Sequence, residues 1–379
     1  MKRLPLSRLA FAALLAASAL APAPAHATAR FFADSSDVQL DVAAHRMLTV
    51  WRGGKVTLTV QPVVGSTGGE ETGRLGYVLP VHGIPELVDA DPDVFSALFG
   101  LTGPAVVTER QNAGDGCDSA SVTRDEVFTP SVDDLAGTPS AIEATVISPS
   151  NEGAVRSWLT GAGLAFTDDD VAALKAELDG GARLVGVTFP RTGALTEPAP
   201  VAVTFFEPPD IRLELALAQA APATPDLAET TIFVVADKRF RILDYGSVDL
   251  AQIGTGVHDQ LAAGRAGDYD AALDAITMKA GGRVFVTEFS VDLDAGTPDL
   301  PASVAALVDD ERGFLTRLHA RVPADSMADP VVTFAKDGPE VVPETVVPAP
   351  GVTLGLGAGL LLALGLLARR RRRVALARI

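Results

Sequence analysis

Cysteine is nearly missing from this chain. Cys117 is the only one in 379 residues, so no intramolecular disulfide can form and stability has to come from a packed core. Its setting, Gly114-Asp115-Gly116-Cys117-Asp118, is acidic and works against a reactive thiolate. Histidine is also scarce. His45, His82, His258 and His319 are the four outside the N-terminal segment, and no two are close enough in sequence to share one helix face. The HExxH pattern and the cysteine–histidine zinc patterns are therefore absent. So are the G-x-S-x-G elbow and the phosphate-binding P-loop. Gly254-Thr255-Gly256 lacks a third glycine and a preceding βαβ context, and it reads as a turn. No local catalytic signature stands in the sequence.

Positive charge is missing from the middle of the chain. Of 31 basic residues, nine lie in the two terminal segments, which contain no Asp or Glu, leaving 22 basic against 48 acidic residues between them. Such a body repels phosphate backbones, which excludes nucleic acid as a partner and favours solubility outside the cytoplasm. The hydrophobic fraction of 47% fits a packed globular protein and argues against disorder.

The ends carry the clearest signals. Lys2, Arg3 and Arg8 precede a mostly apolar run over Leu9–Ala21, and Ala25-His26-Ala27 supplies a small-x-small cleavage site. This pattern reads as an export signal over residues 1–27, with Ala25 and Ala27 as the small residues just before the cut and a mature chain starting near Thr28. At the other end, Val352–Ala368 contains no charge and is closed by Arg369, Arg370, Arg371, Arg372 and Arg373. The run reads as one C-terminal transmembrane helix over residues 351–368, with a basic cytoplasmic end over 369–379 set by the positive-inside rule. Residues 336–350, rich in proline, read as an extended tether.

Between the ends, residues 28–335 read as an extracytoplasmic domain, with a subdivision near 150. His45–Arg52 and Lys55–Val64, separated by Gly53-Gly54, predict a hairpin in which Val56, Leu58 and Val60 face a core. Further strands are expected over Leu75–Val81, Ala141–Ile147, Arg183–Phe189, Val201–Phe206, Ile211–Ala218, Thr230–Ala236, Arg283–Phe289 and Val331–Phe334. Helices are expected over Val94–Phe99, Val155–Leu159, a segment capped by Thr167 and Asp170, Tyr269–Met278 and Phe314–Ala320. Residues 109–140 read as loop. The expected fold class is α+β, β-rich with antiparallel sheets and a few helices, plus the C-terminal transmembrane helix.

The order of several motifs resembles the exported bacterial family called domain of unknown function 2330. They are Val56-Thr57-Leu58-Thr59-Val60-Gln61, Tyr77-Val78-Leu79-Pro80-Val81 and Trp158-Leu159, then the run Gly281-Gly282-Arg283-Val284-Phe285-Val286-Thr287-Glu288, then Leu315-Thr316-Arg317-Leu318 with Met327 and Asp329-Pro330. The resemblance spans about residues 40 to 334 and implies an exported, frequently membrane-tethered protein with no established reaction; it transfers no catalytic residue. Members often carry more cysteines near the mature N-terminus, a departure here. The tail, with Val347-Pro348-Ala349-Pro350 before the apolar run, resembles bacterial PEP-CTERM sorting segments, except that Ala349 replaces their glutamate.

Carboxylates supply the remaining candidates. Asp89-Ala90-Asp91-Pro92-Asp93 begins like a calcium loop, but Val94 and Gly100 stand where glycine and a bidentate glutamate belong. Asp91 and Asp93 read instead as helix caps, and Asp168–Asp170 as a favourable helix start. Asp115 and Asp118 are the candidate metal ligands, for calcium, and no other cofactor is indicated. Glu288, in an apolar strand, reads either as an outward residue of the alternation or as a buried acid. Two functional readings follow. One is a membrane-tethered, non-enzymatic binding or structural component of the bacterial cell envelope, meeting an extracytoplasmic ligand or envelope protein, or released after tail processing. The other is an envelope hydrolase or calcium-dependent protein using carboxylates the fold assembles.

Overall fold

The long hairpin over residues 39–67 buries both of its faces, and this requirement organises the molecule in layers. The structure is a computed structural model and describes residues 29–348, apart from residues 70–71, 112–121, 129–138, 207–212, 215–217, 220–226, 244, 266, 295–296, 298, 309–312, 324–329 and 336–339. Its first strands are β1 (Ala29–Ala33), β2 (Gln39–Arg52), β3 (Lys55–Thr67), β4 (Gly73–Val81), β5 (Glu86–Val88), β6 (Ala105–Gln111), β7 (Val122–Phe128), β8 (Glu143–Val146), β9 (Arg183–Arg191) and β10 (Leu195–Thr196). There follow β11 (Val201–Phe206), β12 (Leu213–Glu214), β13 (Ala218–Gln219), β14 (Leu227–Ala236), β15 (Phe240–Ile242), β16 (Gly246–Asp249), β17 (Val284–Leu293), β18 (Gly313–Pro323), β19 (Val331–Phe334) and β20 (Glu344–Pro348). The described helices are α1 (Val94–Thr102), α2 (Glu152–Gly161), α3 (Asp168–Asp179), α4 (Leu250–Ala262), α5 (Tyr269–Lys279) and α6 (Ala302–Val308).

The largest sheet runs β16-β17-β18-β14-β2-β3-β11-β5, with β10 also on β3, and a five-stranded sheet runs β13-β1-β4-β9-β8. Both draw strands from either side of residue 150. Their facing sides share one core, with Met47, Leu58, Ile232 and Leu318 from the large sheet against Tyr77, Val187 and Phe189 from the smaller. The outer face of the smaller sheet is covered by α2 and α3 through Leu159, Val171 and Leu174. The outer face of the large sheet is covered by α1 and α6 at one end and by α4 and α5 at the other. The layers are therefore helix, sheet, sheet, helix. Two three-stranded sheets, β12-β19-β15 and β20-β6-β7, flank them.

Several local expectations hold. Gly53 and Gly54 take φ of 56° and 79°, the left-handed pair that a tight two-residue hairpin needs, and β2 pairs antiparallel with β3 across them. Thr167 and Asp170 form a reciprocal capping box at the start of α3.

The expected fold class is corrected on two points. The sheets are mixed: β14 pairs parallel with β2, β16 with β17, β20 with β6 and β1 with β13. The β16–β17 pair is parallel because α4 and α5 lie between them and carry the chain back to the starting end, as a helical crossover does. And no helix among the described residues is long and apolar enough to cross a membrane. The longest, α4, has 13 residues and buries one face only, against about 20 apolar residues for a span. Val352–Ala368 and Arg369–Arg373 lie outside the described residues.

Three segments differ from their sequence reading. Phe314–Ala320, expected as a helix, lies in β18, because both faces of this strand are buried and its polar residues do not mark a solvent face. Gly254 and Gly256 sit inside α4 instead of a turn, each where another element comes close: Thr345 and Val347 at Gly254, Ala272 at Gly256. Residues 109–140, read as loop, contribute the end of β6 and all of β7.

Gly186 in β9 marks how tightly α2 is seated. A β-carbon there would lie 2.3 Å from Cε2 of Trp158, and strand backbone leaves it no room to retreat. Gly186→Ala is expected to destabilise the fold by about 1–3 kcal/mol through overpacking, measured by denaturant unfolding. An unchanged midpoint would show that α2 shifts freely on the sheet.

Candidate functional site

Strand β18 alternates, so Leu315, Arg317, His319 and Arg321 share the face that looks toward the helices. On the neighbouring β17 the register slips between Thr287 and Phe289, which pair with Leu318 and Arg317 respectively. Glu288 is the extra residue of this β-bulge. A bulge lets two successive residues reach the same side of a sheet, and it turns Glu288 toward Arg317 and His319. Glu288 is fully buried, and Arg317 and His319 are each 1% exposed.

The contacts are dense. His319 Nδ1 lies 2.7 Å from Glu288 Oε1, and Tyr269 Oη donates to the same oxygen from the first residue of α5. Arg317 Nε lies 2.7 Å from Glu288 Oε2, a charge contact off the line of a hydrogen bond. Arg317 Nη1 donates to Thr102 Oγ1 at 3.3 Å, at the end of α1, and its guanidinium lies over the Phe99 and Phe233 rings, 4.9 and 5.8 Å from their centroids. On the far side of the imidazole, His319 Nε2 is 3.4 Å from Glu229 Oε1 of β14. Nearer the surface, Arg321 donates to Asp274 and Asp270 of α5, both at 2.9 Å.

Burial alone would neutralise these groups, and their mutual charges reverse it. Desolvation acts to raise the Glu288 carboxyl, but the charges on His319 and Arg317 and the bonds from His319 and Tyr269 hold it down at about 2. Desolvation acts to lower His319, and the Glu288 charge with bonds to Glu229 and Glu288 lifts it to about 10. Burial first, then the Glu288 charge, pushes the Tyr269 phenol well above its usual range. At neutral pH the cluster is an imidazolium and a guanidinium closed around a carboxylate. Both Glu288 oxygens lie against a cation, Oε1 against His319 and Oε2 against Arg317, and the imidazolium has no lone pair to act as a base. Such an arrangement holds elements together: it ties β14, β17, β18, α1 and α5 through one group of charges.

The structure brings Glu288 of the sequence candidates into this cluster, as a buried acid and not as an outward residue. Asp115, Asp118, Ala25 and Ala27 lie outside the described residues. Asp91 accepts from the Asp93 N–H ahead of α1, and Asp170 caps α3 while pairing with Arg30. Among the described residues no three His, Cys, Asp or Glu side chains are grouped so as to hold a metal ion. Arg317, His319, Tyr269 and Glu229 were missed by sequence reasoning, since their partners lie on other elements. One signal was present: two of the motifs quoted above contain Glu288 and Arg317.

The fold and its cluster define a class: a four-layered, β-rich body with a closed internal charge network. The chain belongs to the family described as an uncharacterized protein conserved in bacteria, domain of unknown function 2330, whose model matches residues 23–334. Residues 335–379, including the tail that resembles sorting segments in sequence only, lie beyond that match. Comparison with curated proteins returns no match. Among solved structures, the crystal structure of baculovirus P35 is similar at 7% identity, covering 79% of this chain and 98% of that one with a TM-score of 0.34. A likeness at that score carries no argument.

Two outcomes follow from the cluster. Glu288→Gln leaves Arg317 and His319 buried without their counter-charge, so unfolding should cost about 3–5 kcal/mol less, read by chemical denaturation. Stability should also depend on pH from both sides. His319, raised above its ordinary 6.5, contributes fully below 6.5 and loses its contribution as pH climbs through about 10. Glu288, lowered from 4.5, contributes above 4.5 and loses its contribution as pH falls through about 2. The melting temperature should fall across the alkaline window, and His319→Gln should flatten that slope. An equal slope in both proteins would show that His319 is not the titrating group.

Proposed function

We propose that this protein is exported and serves outside the cytoplasm, in the bacterial cell envelope, as a non-catalytic binding or structural component. The observation that carries this reading is the state of its most concentrated chemistry: the described residues with the strongest mutual electrostatics are sealed from solvent and neutralise one another. An enzyme would need such groups exposed and poised near neutrality. The strongly acidic body supports solubility in an extracytoplasmic space. Export is supported by the pattern of residues 1–27 with its Ala25-His26-Ala27 cleavage site. The absence of any intramolecular disulfide makes the internal charge network and the layered core the means of holding the body together in that setting.

Mass spectrometry of the intact protein from envelope and medium fractions tests the reading. The expected form begins at Thr28 and is recovered outside the cytoplasm. A form that retains Met1 and stays with cytoplasmic proteins would overturn it. A calcium titration of the same material, followed by thermal melting with an Asp115→Ala control, tests the calcium-dependent alternative.

A further inference from the structure

Residues 336–350 read in sequence as a tether, yet residues 340–348 lie against the body as a strand. β20 pairs parallel with β6, from Glu344 beside Ala105 to Pro348 beside Glu109. Just before it, Val341 and Ser290 exchange two backbone hydrogen bonds at 2.8 and 3.0 Å. That contact falls on β17 past the point where its pairing with β16 ends, at Thr287. The segment alternates: Val341, Thr345 and Val347 turn inward, while Val342 and Val346 are 53% and 40% exposed. Val347 enters an apolar cluster with Val106, Ile253, Val257, Tyr269 and Val286. The fit is close at one place above all. A β-carbon on Gly254 would lie 2.3 Å from Thr345 Cγ2 and 3.3 Å from Val347 Cγ1. Glycine inside a helix costs about 1 kcal/mol relative to alanine, and close approach of the strand is what the glycine permits.

This segment lies beyond residues 23–334, which the family shares. Without this segment the matched portion of the chain would leave an apolar groove beside β6 and α4, with one edge of β6 and the Ser290 backbone groups unpaired. We infer that the groove is a strand-acceptor site for an extended segment with valine or threonine at alternate positions, and that residues 340–348 of this chain fill it in cis. Recognition is by β-augmentation: backbone pairing to β6 and Ser290 supplies affinity, and the alternate side chains over Gly254 and in the Val106 pocket supply selectivity. The groove floor includes Tyr269, which bonds Glu288, so occupancy bears directly on the buried charge network. The inference deepens the binding reading above, and it stands or falls separately from export.

The test uses the full chain with Val347→Asp, which places a charge in the pocket and releases the segment, and a fluorescent peptide of residues 340–348. The peptide should bind the variant at least about tenfold more tightly than the wild-type chain, whose groove is filled, and Gly254→Val added to the variant should abolish binding. A variant that keeps its native near-ultraviolet circular dichroism but takes up no peptide would overturn the inference. If Val347→Asp does not fold, hydrogen exchange on the wild-type chain decides: amides of residues 344–347 exchanging ahead of those in β18 support an exchangeable occupant, and exchange only with global unfolding overturns it.

Discussion

Burying charge is the constraint on which this structure turns. A carboxylate, a guanidinium and an imidazolium lie in the interface between a sheet and its helices, and each would be untenable there without the others. Glu288 answers both cations, so the β-bulge that aims it is a requirement and not an irregularity. The same carboxylate takes the Tyr269 hydroxyl, which sets where α5 begins on the sheet. Arg317, reaching to Thr102 and lying over Phe99, does the same for α1. The two helices that reach this cluster, from distant parts of the sequence, are located by one set of charges.

A network of this kind gives specificity more readily than stability. An all-apolar replacement of similar volume could hold the layers as firmly, but it would accept neighbouring registers of β17 on β18. A one-residue slip would carry Arg317 and His319 away from Glu288 and leave three charges buried alone. The hydrophobic layers supply the driving force for collapse, and the charges select one alignment from those the layers permit.

How much of this could be read from sequence depended on whether the cause was local. The hairpin at Gly53-Gly54 and the box at Thr167 and Asp170 are written within a few residues, and both were legible. β18 was not, because Arg317 and His319 interrupt an apolar run until Glu288, 29 residues before the first of them, is placed beside them. The parallel pairing of β16 with β17 depends on α4, and α4 was hidden by two glycines, Gly254 facing a strand more than 80 residues away and Gly256 facing α5. Glu288 was legible as a candidate, and its partners were not. The membrane span was read from composition alone, in residues outside the described ones, and no described helix is long and apolar enough to cross a membrane.

One consequence concerns the order of events during synthesis. β2 aligns with β14, so Ala44 lies beside Glu229, and β14 in turn needs β18, which ends at Pro323. The central sheet cannot close until most of the chain exists. Long separation between partners slows folding, and the buried charges penalise any premature closure that omits one of them. The chain is thereby kept loose and threadable while it is being made, and it becomes rigid only once nearly all of it is present.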